Sequence, residues 1–251
     1  MNTPIEPLAT TLLLSASDVD IRNRLKLSSL FLMMQNAAAQ HAKMCGFGFE
    51  HLDLQDCFWV LSRAKVAMRN LPECDDEITI STWPVGTDKL FALRDFVFTA
   101  SNGIRIGAAT TSWLILNKNT FRPQRPDALN GLIYPNLPRP FTSDAPKING
   151  LQEKQISHSQ TAYYSDIDMN RHVNNATYVD WMLNSLGPQE LPDAPFSFCI
   201  NFTGQAVWGD RVDVYKHPQE HSTMSLEIRK GDVTVTGAQL VRHDTDACLF
   251  A

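Results

Sequence analysis

From Asp166 to Trp181 the chain reads DIDMNRHVNNATYVDW, which sets two carboxylates, an imidazole and three carboxamides within ten residues before turning apolar. An imidazole takes or gives a proton near neutral pH, a carboxylate fixes its tautomer or itself acts as base, and a carboxamide orients a water or polarises a carbonyl. If 166–172 is extended, Asp168, Asn170 and His172 alternate with Met169 and Arg171 and face the same way. Asn174 or Asn175 then caps a helix carrying Tyr178, Val179, Met182, Leu183 and Leu186 and stopped by Gly187-Pro188. Free backbone N–H groups at such a helix start suit negative charge developing on an acyl oxygen. The constellation is aimed at an acyl carbonyl. A DxNxH triplet is a weak signal by itself, and Asn174 and Asn175, candidate substrate-binding residues, serve equally well as plain caps.

The elements that must position this run are legible because the chain repeats itself. Ser17-Asp18-Val19-Asp20 recurs as Ser165-Asp166-Ile167-Asp168, and DEITISTWP at 76–84 recurs as DRVDVYKHP at 210–218. Gly103 and Gly231 each sit between two strand-like runs. The spacing between matched positions shrinks steadily, as two copies of one unit give when the first has longer loops. Each copy reads as a short polar strand, one helix and an antiparallel run. The first helix carries Leu30, Met33, Met34, Ala37, Ala38, His41 and Met44, with Gly46 as its stop. Strands are expected at 58–68, 77–83, 91–99 and 104–116, then at 196–203, 211–217, 223–229 and 232–243, with Asn102-Gly103 as a hairpin turn. The proline-rich stretch 118–160 reads as a linker. The expected fold is α+β, two tandem units over 1–145 and 146–251, each a curved antiparallel sheet around a long helix, with the sheets joined edge to edge. Two unrelated α+β domains are the competing reading.

Only the second copy keeps acid, amide and imidazole together: Arg22 and Arg24 stand where Asn170 and His172 stand. His41 reads as a core histidine. Met33 and Met34 are plain core or, as flexible thioethers, candidate contacts for an acyl chain.

Bulk properties narrow the function classes. The 251 residues carry a net charge of −5, which gives no general attraction to nucleic acid or to an anionic membrane. The five cysteines are scattered without a CxxC pair, so neither a disulfide framework nor a zinc site is suggested. LATTLLL near the start is too short and polar for a signal or a span, so a cytoplasmic location is expected.

Asp168-Met169-Asn170-Arg171-His172-Val173-Asn174-Asn175 with Tyr178 and Trp181 resembles the signature of acyl-ACP thioesterases, and TWPVG at 82–86, the RDF of 94–96, WLILN at 113–117 and RPQRP at 122–126 resemble the same family. The resemblance implies a double hot-dog fold, hydrolysis of the thioester between a fatty acyl chain and acyl carrier protein, no metal and no dissociable cofactor. It also implies that Asp168, Asn170 and His172 are catalytic and that the first half holds the acyl chain. The family commonly has glutamate where Gln205 stands, sometimes followed by cysteine where Ala206 stands. Gln205 can hold a water but takes no proton, so the base role falls on Asp168 or His172. An acyl-CoA thioesterase and a non-catalytic acyl-binding protein are the alternatives. Lys118, Arg122, Arg125, Arg139, Lys147 and Lys154 form the expected basic surface for an acidic carrier protein. Hot-dog units commonly pair, which makes a homodimer a candidate state.

Overall fold

The computed structural model describes residues 4–126, 129, 131–148, 155–217, 222–245 and 249–250. The first copy contributes strands β1 (Leu8–Leu13), β2 (Cys57–Met68), β3 (Glu77–Asp88), β4 (Phe91–Ala100), β5 (Arg105–Asn117) and the short β6 (Pro123–Gln124). The second contributes β7 (Gln155–Thr161), β8 (Phe196–Phe202), β9 (Arg211–Lys216), β10 (Thr223–Lys230) and β11 (Val233–Arg242). They form one sheet in the order β1-β3-β4-β5-β2-β8-β11-β10-β9-β7, with β6 beside β5. Read outward from the centre, the two halves have the same topology: β2 matches β8, β5 matches β11, and so on to β1 and β7. The halves meet through antiparallel pairing of β2 and β8, from Arg63↔Asn201 to Met68↔Phe196. The expected edge-to-edge joining is therefore what the chain does, and each unit caps an open strand edge of the other.

Helix α1 (Leu27–Met44) lies in the first copy, followed by the short α2 (Phe49–Asp53), and α3 (Asn175–Leu183) lies in the second. Leu27, Leu30, Phe31, Met34, Ala38 and His41 recur every three or four residues along α1 and are all buried, which is the stripe a helix needs to lie on a sheet. Phe31 meets Phe198 of β8 edge to face at 6.2 Å, so the first helix packs on a strand of the second copy and one continuous core serves both. Gly46 (φ +80°) ends α1 in the left-handed region, as expected of a C′ glycine. Gly103 (φ +81°) and Gly231 (φ +57°) do the same work in the matching β4–β5 and β10–β11 hairpins.

Several expectations change. The linker 118–160 ends in β7, and the first copy opens on β1. The short polar strand expected ahead of each helix is instead a turn at 16–18 in the first copy and one 3-10 turn, Tyr164–Asp166, in the second, with the isolated bridges Val19↔Leu25 and Ile167↔Val173 closing the loops that follow. Helix α3 stops at Leu183, before Gly187-Pro188, because Ser185 donates its hydroxyl to the Met182 carbonyl at 2.6 Å and the chain goes on in turns. Cys45, Cys57, Cys74 and Cys199 are free thiols. Pro218, Cys248 and Lys154 lie outside the described residues.

Candidate active site

The run from Asp168 to His172 is not an extended strand. The Asp168 N–H donates to the His172 carbonyl at 2.8 Å, the Arg171 N–H donates to the Asp168 carbonyl at 3.0 Å, and Arg171 takes φ +64°. A tight loop, not strand alternation, brings the three side chains to one place. The Asp168 carboxylate holds this loop, since its Oδ1 accepts the N–H of Asn170 at 2.8 Å and of His172 at 3.4 Å. The first copy uses the same device, with Asp20 Oδ1 accepting from the N–H of Arg22 at 2.8 Å and of Arg24 at 3.1 Å. There, however, the Arg22 guanidinium pairs with Asp20 Oδ2 at 2.9 Å and continues to the Pro192 carbonyl at 2.8 Å. The loop is common to both copies; the acid, amide and imidazole set belongs to one.

A second layer fixes the loop against the rest of the unit. The Val173 N–H donates to the Ala206 carbonyl at 2.9 Å, and the Ala206 N–H donates to the hydroxyl of buried Tyr178 at 2.8 Å. Ala206, the residue after Gln205, is thereby tied through its carbonyl to the residue after His172 and through its N–H to α3. Asn174 caps α3, its side-chain oxygen accepting from the Ala176 N–H at 2.9 Å. Gln35 of α1 reaches across, donating to Asn174 at 3.5 Å and accepting from the Asn175 amide at 3.3 Å. Gln35 had no special standing in the sequence. Its position one turn along from Phe31, on the edge of the apolar stripe, was the available signal.

Asp168, Asn170, His172, Asn174, Asn175 and Gln205 all line one cavity of about 600 Å³. The rest of its lining is mainly apolar and comes largely from the first copy, including Ala42, Phe47, Trp59 and Trp113. Met33 and Met34 do not line it: Met34 is buried in the core, and Met33 packs against that core. The helical period correctly marked a buried face, but the neighbouring stripe of Gln35, Ala38, Ala39 and Ala42 is the one that meets the cavity. His41 is satisfied on both nitrogens, Nε2 donating to the Glu6 carbonyl at 2.9 Å and Nδ1 accepting from Arg94 at 2.9 Å.

Burial pushes the His172 pKa below the usual imidazole value, and the Asp168 carboxylate pulls it partly back. At neutral pH His172 is therefore an uncharged base opening on an apolar cavity. Arg94 lines the same cavity; burial lowers its pKa to about 10, so it stays charged. Of the expected basic surface, Lys118 is paired with Asp53, and Arg139 is paired with Asp95 and Asp144. Arg122, Arg125 and Lys147 remain exposed.

Two helices lying on a shared antiparallel sheet, with an imidazole, a carboxylate and amides at the lining of a mainly apolar cavity, define a double hot-dog protein with one candidate active site in its second half. Known proteins narrow this further. The acyl-ACP thioesterase N-terminal domain profile matches residues 9–128, and the acyl-ACP thioesterase C-terminal domain profile matches residues 150–246. The chain belongs to the acyl-ACP thioesterase family. It is 29% identical over 172 residues to a chloroplastic palmitoyl-acyl carrier protein thioesterase of Cuphea hookeriana, covering 63% of this chain and 41% of that one. It is 30% identical over 179 residues to the chloroplastic oleoyl-acyl carrier protein thioesterase 1 of Arabidopsis thaliana, covering 64% and 49%. The matched region thus spans less than half the length of these two plant relatives. The crystal structure of an acyl-ACP thioesterase from Bacteroides thetaiotaomicron agrees with a TM-score of 0.84 at 26% identity, covering 94% of this chain and 97% of that one. The 12:0-ACP thioesterase from Umbellularia californica shares the fold, with a TM-score of 0.77 at 22% identity over 94% and 96% of the two chains.

Proposed function

We propose that this protein hydrolyses the thioester joining a fatty acyl chain to acyl carrier protein and releases the free fatty acid. The observation that carries the reading is the placement of His172, Asp168, Asn170 and Gln205 together at the lining of a cavity that is otherwise mainly apolar and large enough for an acyl chain. The relatives' names supply the substrate class and the carrier protein.

Uncharged His172 takes a proton from a water as its oxygen attacks the acyl carbonyl carbon. The tetrahedral oxyanion is stabilised by the Asn170 amide and by the start of α3. At that helix start the Ala176 N–H is taken by the Asn174 side chain, and the Thr177 and Tyr178 N–H groups by its carbonyl. The Asn175 N–H is the donor left over among the described residues, pointing from the positive end of the helix. Collapse of the intermediate breaks the carbon–sulfur bond, and the imidazolium returns its proton to the departing thiolate. Asp168 holds the loop and favours the imidazolium by charge. Gln205, an amide, positions the water and takes no proton. The base role is therefore assigned to His172, since Asp168 Oδ1 is already occupied by two backbone donors. The free thiols suit a reducing compartment, and we place the enzyme in the cytoplasm on that ground.

The test is hydrolysis of acyl-ACP by the purified protein against His172→Ala, with acyl-CoA of the same chain length alongside. The wild type is expected to be at least about a hundredfold faster than the variant. Equal rates end the hydrolase reading, and a higher kcat/KM on acyl-CoA ends the carrier-protein reading.

A further inference from the structure

The polar part of the cavity lining is made of carboxamides rather than of charge. Gln35 and Asn36 of α1, Asn170, Asn174 and Asn175 of the site loop and helix start, and Gln205 all line it; Asp168 is the one carboxylate, and no lysine lines it among the described residues. The one guanidinium in the lining, Arg94, belongs to β4 and is held by His41 and Thr82. Asn36, Met169, Asn170 and Gln205 are exposed as well as lining, so the cavity opens to solvent among the amides. Ala42 and Phe47, farther along the chain from Gln35, are buried. The apolar part of a substrate has its place there, and the part that passes the amides is the part that leads out.

Two of these amides are oriented by a relay that starts from an unambiguous donor. The Ala176 N–H donates to Asn174 Oδ1 at 2.9 Å, so the Gln35 atom that meets the same oxygen at 3.5 Å is Nε2. Gln35 Oε1 is then the atom that meets Asn175, and it accepts from Asn175 Nδ2 at 3.3 Å. The relay leaves over one N–H on Gln35 Nε2 and the lone pairs of Asn175 Oδ1, an oxygen that accepts no bond among the described residues and is not sealed from solvent. A donor on α1 of the first copy and an acceptor on α3 of the second thus stand beside each other, next to the Asn175 N–H assigned above to the oxyanion. Both residues are half-buried, and polar groups in such a place are satisfied by water or by a ligand of matching polarity.

We propose that Gln35 and Asn175 form a subsite for the pantetheine amide that lies two carbons from the thioester sulfur, Gln35 Nε2–H donating to its carbonyl and Asn175 Oδ1 accepting its N–H. The proposal rests on the acyl-thioester reading above. A secondary amide needs one donor and one acceptor, which is what the relay leaves free. The arm is uncharged between its sulfur and its phosphate, and this stretch of lining is uncharged but for Asp168. Each copy supplies one of the two groups, so the arm is gripped across the boundary between them. Holding the amide fixes the sulfur, and with it the distance of the acyl carbonyl from His172 and the start of α3.

The test compares wild type, Gln35→Met and Asn175→Ala on three thioesters of one fatty acid: that of N-acetylcysteamine, that of its ketone isostere with CH2 in place of the amide NH, and that of a plain alkyl thiol of equal length. In wild type, kcat/KM is expected to be about tenfold higher for the amide than for the plain thioester, with the ketone between them. Gln35→Met should bring the ketone and the plain thioester together, and Asn175→Ala the amide and the ketone. The same ratios in wild type and both variants overturn the proposal, and so does an equal loss on all three thioesters, which is what bracing of the helix start alone would give. Acyl-ACP and acyl-CoA run alongside should both lose about tenfold in Gln35→Met, the larger kcat/KM of the two naming the carrier; no loss on either overturns the subsite. Should the variants not fold, wild type alone decides: equal kcat/KM for the amide and plain thioesters overturns it. Failure of wild type to hydrolyse any acyl thioester overturns the functional reading instead. Calorimetric binding of the matching thioethers, with and without the amide, then decides the subsite separately, equal affinities counting against it.

Discussion

Tyr178→Phe removes one oxygen from the support of the site and leaves the ring. That ring stands edge to face with Trp181 at 5.5 Å and near Phe202 at 6.2 Å, and both contacts survive the change. What is lost is the acceptor for the Ala206 N–H, a bond of 2.8 Å to a residue that is fully buried. A buried donor left without a partner costs about 1–3 kcal/mol, and about 2 kcal/mol is the expected destabilisation here. For a chain of this size that lowers Tm by roughly 4–8 °C. The effect should reach catalysis as well, because the released N–H belongs to the peptide between Gln205 and Ala206 and the Ala206 carbonyl holds Val173, next to His172. A fall in kcat of roughly tenfold with little change in KM is expected, the pattern of a site loosened where the reacting groups meet. Thermal unfolding and steady-state kinetics on the one variant check both. A Tm within about 1 °C of wild type would refute the argument, since the hydroxyl would then be supporting nothing.

Two further outcomes follow from charges in the structure. The acid limb of kcat/KM should lie below pH 6.5, the ordinary imidazole value that burial lowers at His172, and Asp168→Asn should move it lower still. The amide keeps an oxygen for the two loop N–H groups while removing the charge that favours the imidazolium, so a limb that stays put or rises in pH–rate profiles contradicts the assignment of His172 as base. Arg139→Met should destabilise the fold by about 3 kcal/mol, because it leaves the Asp95 carboxylate uncompensated. That side chain is fully buried and receives Arg139 Nε and Nη2 at 2.9 Å each. Denaturant unfolding of Arg139→Met and of Arg139→Met with Asp95→Asn measures it, the double variant recovering much of the loss; equal destabilisation of both would contradict the pairing.

Much of the architecture could be read before any coordinates because both copies solve one local problem with one residue. An aspartate must take two backbone donors to turn the chain into each helix, so Asp20 and Asp168 persist in identical frames while the residues around them diverge. The central strands were legible from their apolar runs. β1 and β7 were not: each is an outer strand with one neighbour, its sequence (LATTLL, QISHSQT) shows little of the inward apolar face that pattern reading relies on, and burial along it is partial. The site residues were visible as a cluster, but their loop geometry was not, because nothing in MNRH marks Arg171 as the left-handed position. Arg94 and Arg139 show the same limit. One reads as a charge interrupting a strand and the other as a charge in a proline-rich loop; that the first faces a cavity and the second a buried acid depends on partners far away in the chain.

The seam between β2 and β8 lies within a single polypeptide, and this changes what dilution and mutation can do to it. Two separate subunits joined by the same ladder would come apart as their concentration fell, whereas tethered halves hold each other at a local concentration set by the connecting chain. A symmetric pair must also carry every substitution twice, once on each side of the axis. Here a change is written once. One half can carry arginine, as at position 24, where the other carries the imidazole of His172.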